Sequence, residues 1–287
     1  MTTPPLKRRL LAEFLGTSAL LTAVVGVSAM AATLSPHDAG LRLLENSSTV
    51  ALALAAVIVA LGPVSGAHFN PVVSAADWFL GRRTGTGLTT AELAGYIAAQ
   101  LAGAAAGTVL GNLMTGRPAV TIAGTARTGG HLLLSEVVAT AGLLVLIAAL
   151  VRTGRGAAGP AAVGAYIGAA CWFTSSSCFA NPAVTLGRML TGTESGIAPA
   201  SVPAFLLAQV AGLAVACLLI PALYPQPGAV ATTASADAVV SAPAPARSAP
   251  AADRPGPGRA CAPGQPIRGR VMRYATSRND ASARVTR

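Results

Sequence analysis

The sequence predicts an all-α membrane protein with six transmembrane helices plus two re-entrant half-helices in an inverted repeat. Three observations carry that expectation. Of 287 residues, 53% are apolar and only 10% are charged, whereas ordinary soluble domains hold about a quarter charged residues; too few charges remain to solvate a globule of this size. Six apolar stretches approach the roughly 20 residues needed to cross about 30 Å of hydrocarbon. Three short markers also recur in the same order in the two halves of the chain.

The expected spans run near 10–33, 47–61, 91–114, 131–151, 160–173 and 201–223. The second and fifth are short for a straight crossing, which is the feature a large soluble core would share. The first is too long for a secretory signal and lacks a small-residue cleavage site after its apolar run, so it stays as a helix. Four cysteines, Cys171, Cys178, Cys217 and Cys261, follow neither a CxxC nor a Cys/His spacing. No disulfide framework, metal or cofactor is expected from them.

The net charge of +10 is distributed by loop rather than gathered on one amphipathic face, which argues against nucleic acid as a partner and for a topology signal. With the N-terminus inside, Lys7, Arg8, Arg9, Arg82, Arg83, Arg152 and Arg155 fall on the cytoplasmic side, against Arg42, Arg117, Arg127 and Arg188 outside. Seven against four is the asymmetry of the positive-inside rule, and it puts both termini in the cytoplasm of a plasma (inner) membrane protein. Beyond about Pro225 the chain becomes Ala, Pro, Ser, Gly and Arg. Residues 225–287 therefore read as a disordered basic tail after a channel domain over 1–224.

The repeat divides that domain into about 8–114 and 131–224. Ala12-Glu13-Phe14-Leu15-Gly16-Thr17 matches Ser135-Glu136-Val137-Val138-Ala139-Thr140; Phe69-Asn70-Pro71-Val72-Val73 matches Ala180-Asn181-Pro182-Ala183-Val184; Ala99-Gln100-Leu101-Ala102-Gly103 matches Ala208-Gln209-Val210-Ala211-Gly212. Three spans per copy turn the second copy upside down, so any site belongs where the halves meet.

Asn is a strong N-cap and Pro is favoured at the first helical position, so Asn70-Pro71 and Asn181-Pro182 each start a helix. At about ten residues, each is too short to span and must dip in and return. Irregular backbone at membrane depth has to be buried or to line a wet cavity. Glu13 and Glu136, inside spans one and four, must face the interior, and one carboxylate per half suggests that each holds one re-entrant loop. Gln100 and Gln209 are expected to do similar structural work, beside His68. The alternative role for Glu13 and Glu136 is proton coupling in a secondary transporter with inverted repeats. An enzyme would need a nucleophile with a base; His68 is the only histidine near a motif and has no such companion. If both half-helices start near the midplane, Asn70 and Asn181 meet there, with Pro71, Val72, Pro182 and Ala183 beside them. Their amides would donate to a passing oxygen while the two positive helix ends oppose cations.

The quoted segments, together with Ser65-Gly66-Ala67-His68-Phe69-Asn70-Pro71-Val72, resemble the signatures of the major intrinsic protein (aquaporin and aquaglyceroporin) family over about residues 8 to 224. The stretch Trp172 to Thr185 is similar to bacterial aquaporin-like channels found with arsenic-resistance genes. The resemblance implies a homotetramer with one pore per subunit for small neutral solutes in a lipid bilayer. It also implies a narrow filter of Val50, Ala169, Cys178 and Val184, counted from the asparagines by the family's spacing. Members that conduct water or glycerol usually carry arginine where this chain has Val184, so a wider, less polar filter is expected. It would suit undissociated arsenous acid or methylated arsenicals, then glycerol-like polyols or dissolved gases. Arg188, four residues on, is expected to face the outer loop, and Cys178 to lie at the outer mouth.

Overall fold

A computed structural model describes residues 3–82 and 84–224; the expected tail, Arg83 and Cys261 lie outside the described residues. The described chain is helical throughout its regular structure. Helices α1 (Leu6–Leu34), α2 (Ala39–Ser65) and α4 (Thr90–Met114) flank the short α3 (Pro71–Gly81). The second half repeats the order with α5 (Gly130–Arg152), α6 (Gly159–Phe173), the short α7 (Pro182–Gly187) and α8 (Val202–Leu223). Among the described residues five helices, α1, α2, α4, α5 and α8, are long and apolar enough to cross a membrane; α6 takes the place in the second half that α2 has in the first and is the sixth crossing, and α3 and α7 are the half-helices.

Local chemistry sets the ends of these elements. Helix α2 starts eight residues before the expected 47, because the Asp38 carboxylate accepts from Leu41 N at 2.8 Å and caps it. The polar run Arg42, Glu45 and Asn46 is thus helical, and apolarity alone could not find it. Gly66, in a left-handed conformation (φ 88°), ends α2, and Thr89 with Glu92 forms a capping box at the start of α4. Helix α6 has 15 residues, about 22 Å at 1.5 Å per residue, and stays the shortest crossing. The second half-helix is shorter than expected: six α residues, then a 3-10 turn at Arg188–Leu190. The turn forms because loop groups take the carbonyls an α-helix would use. Ile197 N donates to Arg188 O, Ala123 N to Met189 O and Thr121 N to Leu190 O.

Packing follows the repeat: α1 lies on α4 as α5 lies on α8, and α2 on α6. The polarity is that of a protein in lipid. Glu13, Gln100, Glu136 and Gln209 are fully buried, while Leu52, Leu134, Leu207 and Leu218 stand exposed. An apolar exterior around a polar centre is stable where the surrounding medium is hydrocarbon.

Candidate pore at the meeting of the half-helices

Each half-helix is opened by its asparagine. Asn70 Oδ1 accepts from Val72 N at 3.1 Å, and Asn181 Oδ1 accepts from Ala183 N at 2.9 Å and Val184 N at 3.2 Å. The amide nitrogens then cross between the halves. Asn70 Nδ2 donates to Ala180 O and Asn181 Nδ2 donates to Phe69 O, each at 2.8 Å. An amide carries two N–H hydrogens, so each asparagine keeps one beyond this exchange. The two N-caps are therefore tied together, a contact the sequence did not disclose.

The loops leading into the asparagines adopt left-handed backbone at non-glycine residues: Ala67 (φ 53°) and Phe69 (φ 48°) in one half, Ser177 (φ 61°), Cys178 (φ 48°) and Ala180 (φ 45°) in the other. Such conformations cost on the order of 1–3 kcal/mol each and persist only where their surroundings over-determine them. Here the carboxylates do so. Glu13 accepts from Ser65 Oγ (2.6 Å), His68 N (3.0 Å), Phe69 N (2.7 Å) and Gln100 Nε2 (2.7 Å). Glu136 accepts from Phe179 N and Ala180 N (both 2.9 Å) and from Gln209 Nε2 (2.7 Å). Each glutamine amide is shared with a hydroxyl four residues after the asparagine: Gln100 with Ser74, Gln209 with Thr185, at 2.9 Å in both halves. These hydroxyls were missed in the sequence, although their equal offset from the two asparagines was a usable signal. His68 faces the same network, its Nδ1 3.0 Å from Ser74 Oγ and its ring against Tyr96.

One cavity of about 1280 Å³ passes both asparagines. At the end away from the chain termini it is bordered by Asn46, Glu194 and Ser195; at the end nearer them, by Asp77 and Arg152. Val50, Cys178, Val184 and His68 border it as well. Pro71, Val72, Pro182 and Ala183 do not: they form the first turns behind the asparagines, with Val72 at 3% and Ala183 at 0% exposure. The Val72 side chain thus packs into protein rather than standing beside the cavity.

Two placements differ from expectation. Ala169 is exposed on the outer face of α6, while Val163, Ile167 and Cys171 border the cavity. Residues at i, i+4 and i+8 share a helix face and residue 169 falls on the opposite one, so counting residues back through a loop misassigned the face. Arg188 does not turn out to the loop: it is 6% exposed and borders the cavity with Val184. Its Nε donates to Ser195 O. Arg127, in the segment joining the repeats, also borders the cavity, and burial lowers its pKa from the ordinary arginine value. Among the described residues no group of acidic, histidine and cysteine side chains could hold a metal ion.

Comparison with known proteins places this arrangement. Residues 1–178 match the family described as Major intrinsic protein. Over 214 residues, 75% of this chain and 89% of the relative, the chain is 46% identical to aquaglyceroporin AqpS of Rhizobium meliloti (strain 1021). It is 36% identical to the probable aquaporin AqpM of Archaeoglobus fulgidus over 160 residues, 51% of this chain and 62% of that one. The X-ray structure of the aquaglyceroporin from Plasmodium falciparum superposes with a TM-score of 0.57 at 22% identity, covering 75% of this chain and 94% of the other, and shares the fold.

Proposed function

The chain belongs to the major intrinsic protein family, and from that premise we propose that the cavity past Asn70 and Asn181 is the path of a passive channel for small uncharged solutes, water and glycerol-like molecules among them. The observation that carries the placement is a single cavity running past both half-helix tips, where each asparagine amide keeps an N–H for a solute oxygen. A neutral solute can exchange hydration for these donors; a cation meets donors and the N-terminus of α3 instead. Helix α7, with six residues, adds a weaker dipole than the sequence suggested, so the barrier to cations depends more on other groups.

Channel chemistry is also favoured over coupled transport. Both Glu13 and Glu136 are 0% exposed, and each already accepts three or more hydrogen bonds, which suits a structural role and leaves a shuttling proton without access. We assign Glu13, Glu136, Gln100, Gln209 and His68 to loop support. The filter we place at Val50, Cys178 and Val184, with Cys171 in the position first given to Ala169. None of these four side chains is charged or aromatic, which suits solutes larger than water, and undissociated arsenous acid belongs to that class. The protein is proposed to act as a homotetramer in the plasma (inner) membrane with both termini cytoplasmic. Stopped-flow light scattering on proteoliposomes tests the solute class: glycerol and arsenous acid permeabilities well above protein-free vesicles are expected, independent of an imposed proton gradient. Uphill, gradient-dependent uptake would overturn the reading.

A further inference from the structure

The last turn of α3 carries two aromatic rings beneath one guanidinium. Arg82, the residue that ends this half-helix, lies four residues after Trp78 and three after Phe79, the spacing at which helical side chains meet. Its Cζ is 4.4 Å from the Phe79 centroid and 5.3 Å from that of Trp78, and the two ring centroids are 6.5 Å apart. Arg82 and Phe79 are exposed, Phe79 at 40%. Among the described residues the ion pairs are Arg9–Glu92 and Arg42–Glu194, so Arg82 has no carboxylate partner. Asp77, the acid nearest it in sequence, borders the cavity and accepts from Leu88 N at 2.8 Å, whereas Trp78, Phe79 and Arg82 do not border the cavity.

The patch is continuous with the start of α1. Trp78 Nε1 donates to Thr90 Oγ1 at 3.3 Å in the first turn of α4, and Glu92, two residues on, holds Arg9 at 2.5 Å. Arg9 is neutralised by that pair, but its neighbours Lys7 and Arg8 are exposed, as is Leu11. The second half has no counterpart. Counted from Asn181 as these residues are from Asn70, the matching positions are Met189, Leu190 and Thr193, with neither a ring nor a cation. The stacked cation therefore belongs to one face of the membrane, the one on which the first helix begins.

That combination suits one partner. At a membrane boundary an indole settles at the level of the headgroups, and a guanidinium stacked on rings keeps its N–H edge for acceptor oxygens. A phosphodiester offers paired oxygens that match that edge. We propose that Arg82, Trp78 and Phe79 form a binding site for the headgroup of an anionic phospholipid, with Lys7 and Arg8 adding charge beside it. The site needs only that the chain is embedded in a membrane, so it stands or falls apart from the channel reading.

The test uses full-length protein in phosphatidylcholine liposomes. The chain has two tryptophans, so Trp172→Phe leaves Trp78 as the only indole, and its emission is quenched when a brominated acyl chain lies against it. Rising fractions of brominated phosphatidylglycerol are compared with brominated phosphatidylcholine. Phosphatidylglycerol is expected to quench at a severalfold lower mole fraction, and the preference to weaken at high salt, as pairing between exposed charges should. In Arg82→Gln, reconstituted after its size-exclusion profile is matched to the parent's, the two lipids should quench alike; Arg117→Gln, on the far side, should keep the preference. Equal quenching by the two lipids in the Trp172→Phe protein overturns the proposal. A preference that survives Arg82→Gln overturns it too, since the anion is then gathered by other charges, such as the arginines beyond Tyr224. If Arg82→Gln does not fold, Arg82→Lys decides: an undiminished preference shows that charge without a stacked fork suffices, and the site as assigned falls. Loss of the preference on adding millimolar inorganic phosphate assigns the patch to a free anion and overturns the lipid.

Discussion

Glu13 and Glu136 supply, for two stretches of left-handed backbone, the hydrogen bonds a regular element would have supplied itself. Glu13 receives four donors, two of them backbone N–H groups in the loop before Asn70; Glu136 receives three, again with two backbone N–H groups. Replacing either by Gln turns one acceptor oxygen into an N–H pair facing donors. Buried groups stripped of their partners cost roughly 1–3 kcal/mol each, more when the partner was charged. Glu13→Gln and Glu136→Gln are therefore expected to lower the thermal midpoint of the detergent-solubilised protein, Glu13→Gln by the larger amount. Water permeability should fall in both, because Phe69 O and Ala180 O, the acceptors of the asparagine amides, sit on the loops so released. A midpoint equal to the parent's in Glu136→Gln would show that its loop is held by something else.

Close approach of helices depends on glycine in specific places. A Cβ on Gly103 would come within 2.4 Å of Phe14 O, and one on Gly107 within 2.1 Å of Ser18 O, both backbone atoms of α1 that cannot step aside. Gly212 plays the same part between α8 and α5, where a Cβ would meet Val137 O at 2.7 Å. Small residues at such spacing let transmembrane backbones pack where no hydrophobic effect drives them together. Gly107→Ala is expected to destabilise by about 1–3 kcal/mol, the range for overpacking, read as a lower thermal midpoint; Gly26→Ala, with nothing within 4 Å of its Cβ, should be neutral or mildly stabilising. The repeat also adjusts itself in complementary fashion. Gly16 faces the Phe69 ring at distances a Cβ could not share, and the matching positions in the second half are Ala139 and Ala180. Much of this scale was legible in the sequence. Asn-Pro marks both half-helix starts, and paired Glu and Gln mark the supports, since capping and charge burial are rules about residue types. The face of α6 and the direction of Arg188 were not, because both depend on how many residues a loop spends before a helix resumes. The start of α2 was hidden by polar residues, of which Arg42 and Asn46 border the cavity and Glu45 accepts from Ser35 Oγ.

At the scale of the whole molecule, an even number of crossings puts the two ends of the described helical domain on one side, and the side follows from the charge of the short loops. On the terminal side Arg9 pairs with Glu92 at 2.5 Å, and Arg8, Arg82 and Arg155 lie at or beyond the helix ends. On the far side two of the four cations counted from sequence are engaged inside the fold, Arg188 and Arg127 around Phe179, and Arg42 is paired with Glu194. That leaves Arg117 as the one far-side arginine outside such contacts among the described residues. Terminal-side arginines are engaged as well, Arg82 over the Trp78 and Phe79 rings and Arg152 with Tyr224 O, so the asymmetry remains the seven against four of the loop count, and charges within about 15–20 residues of the spans are the ones that orient insertion. A fluorescent protein fused after Tyr224 is therefore expected to glow and a phosphatase fused there to stay inactive, with the opposite pair of results for fusions at Arg117. Moving the count tests the cause: Lys and Arg at 7–9 changed together to Gln, with three lysines added beside Arg117, should produce a mixed or reversed population. If that variant keeps a single orientation, topology is set by helix order or hydrophobicity, and the argument from loop charge fails.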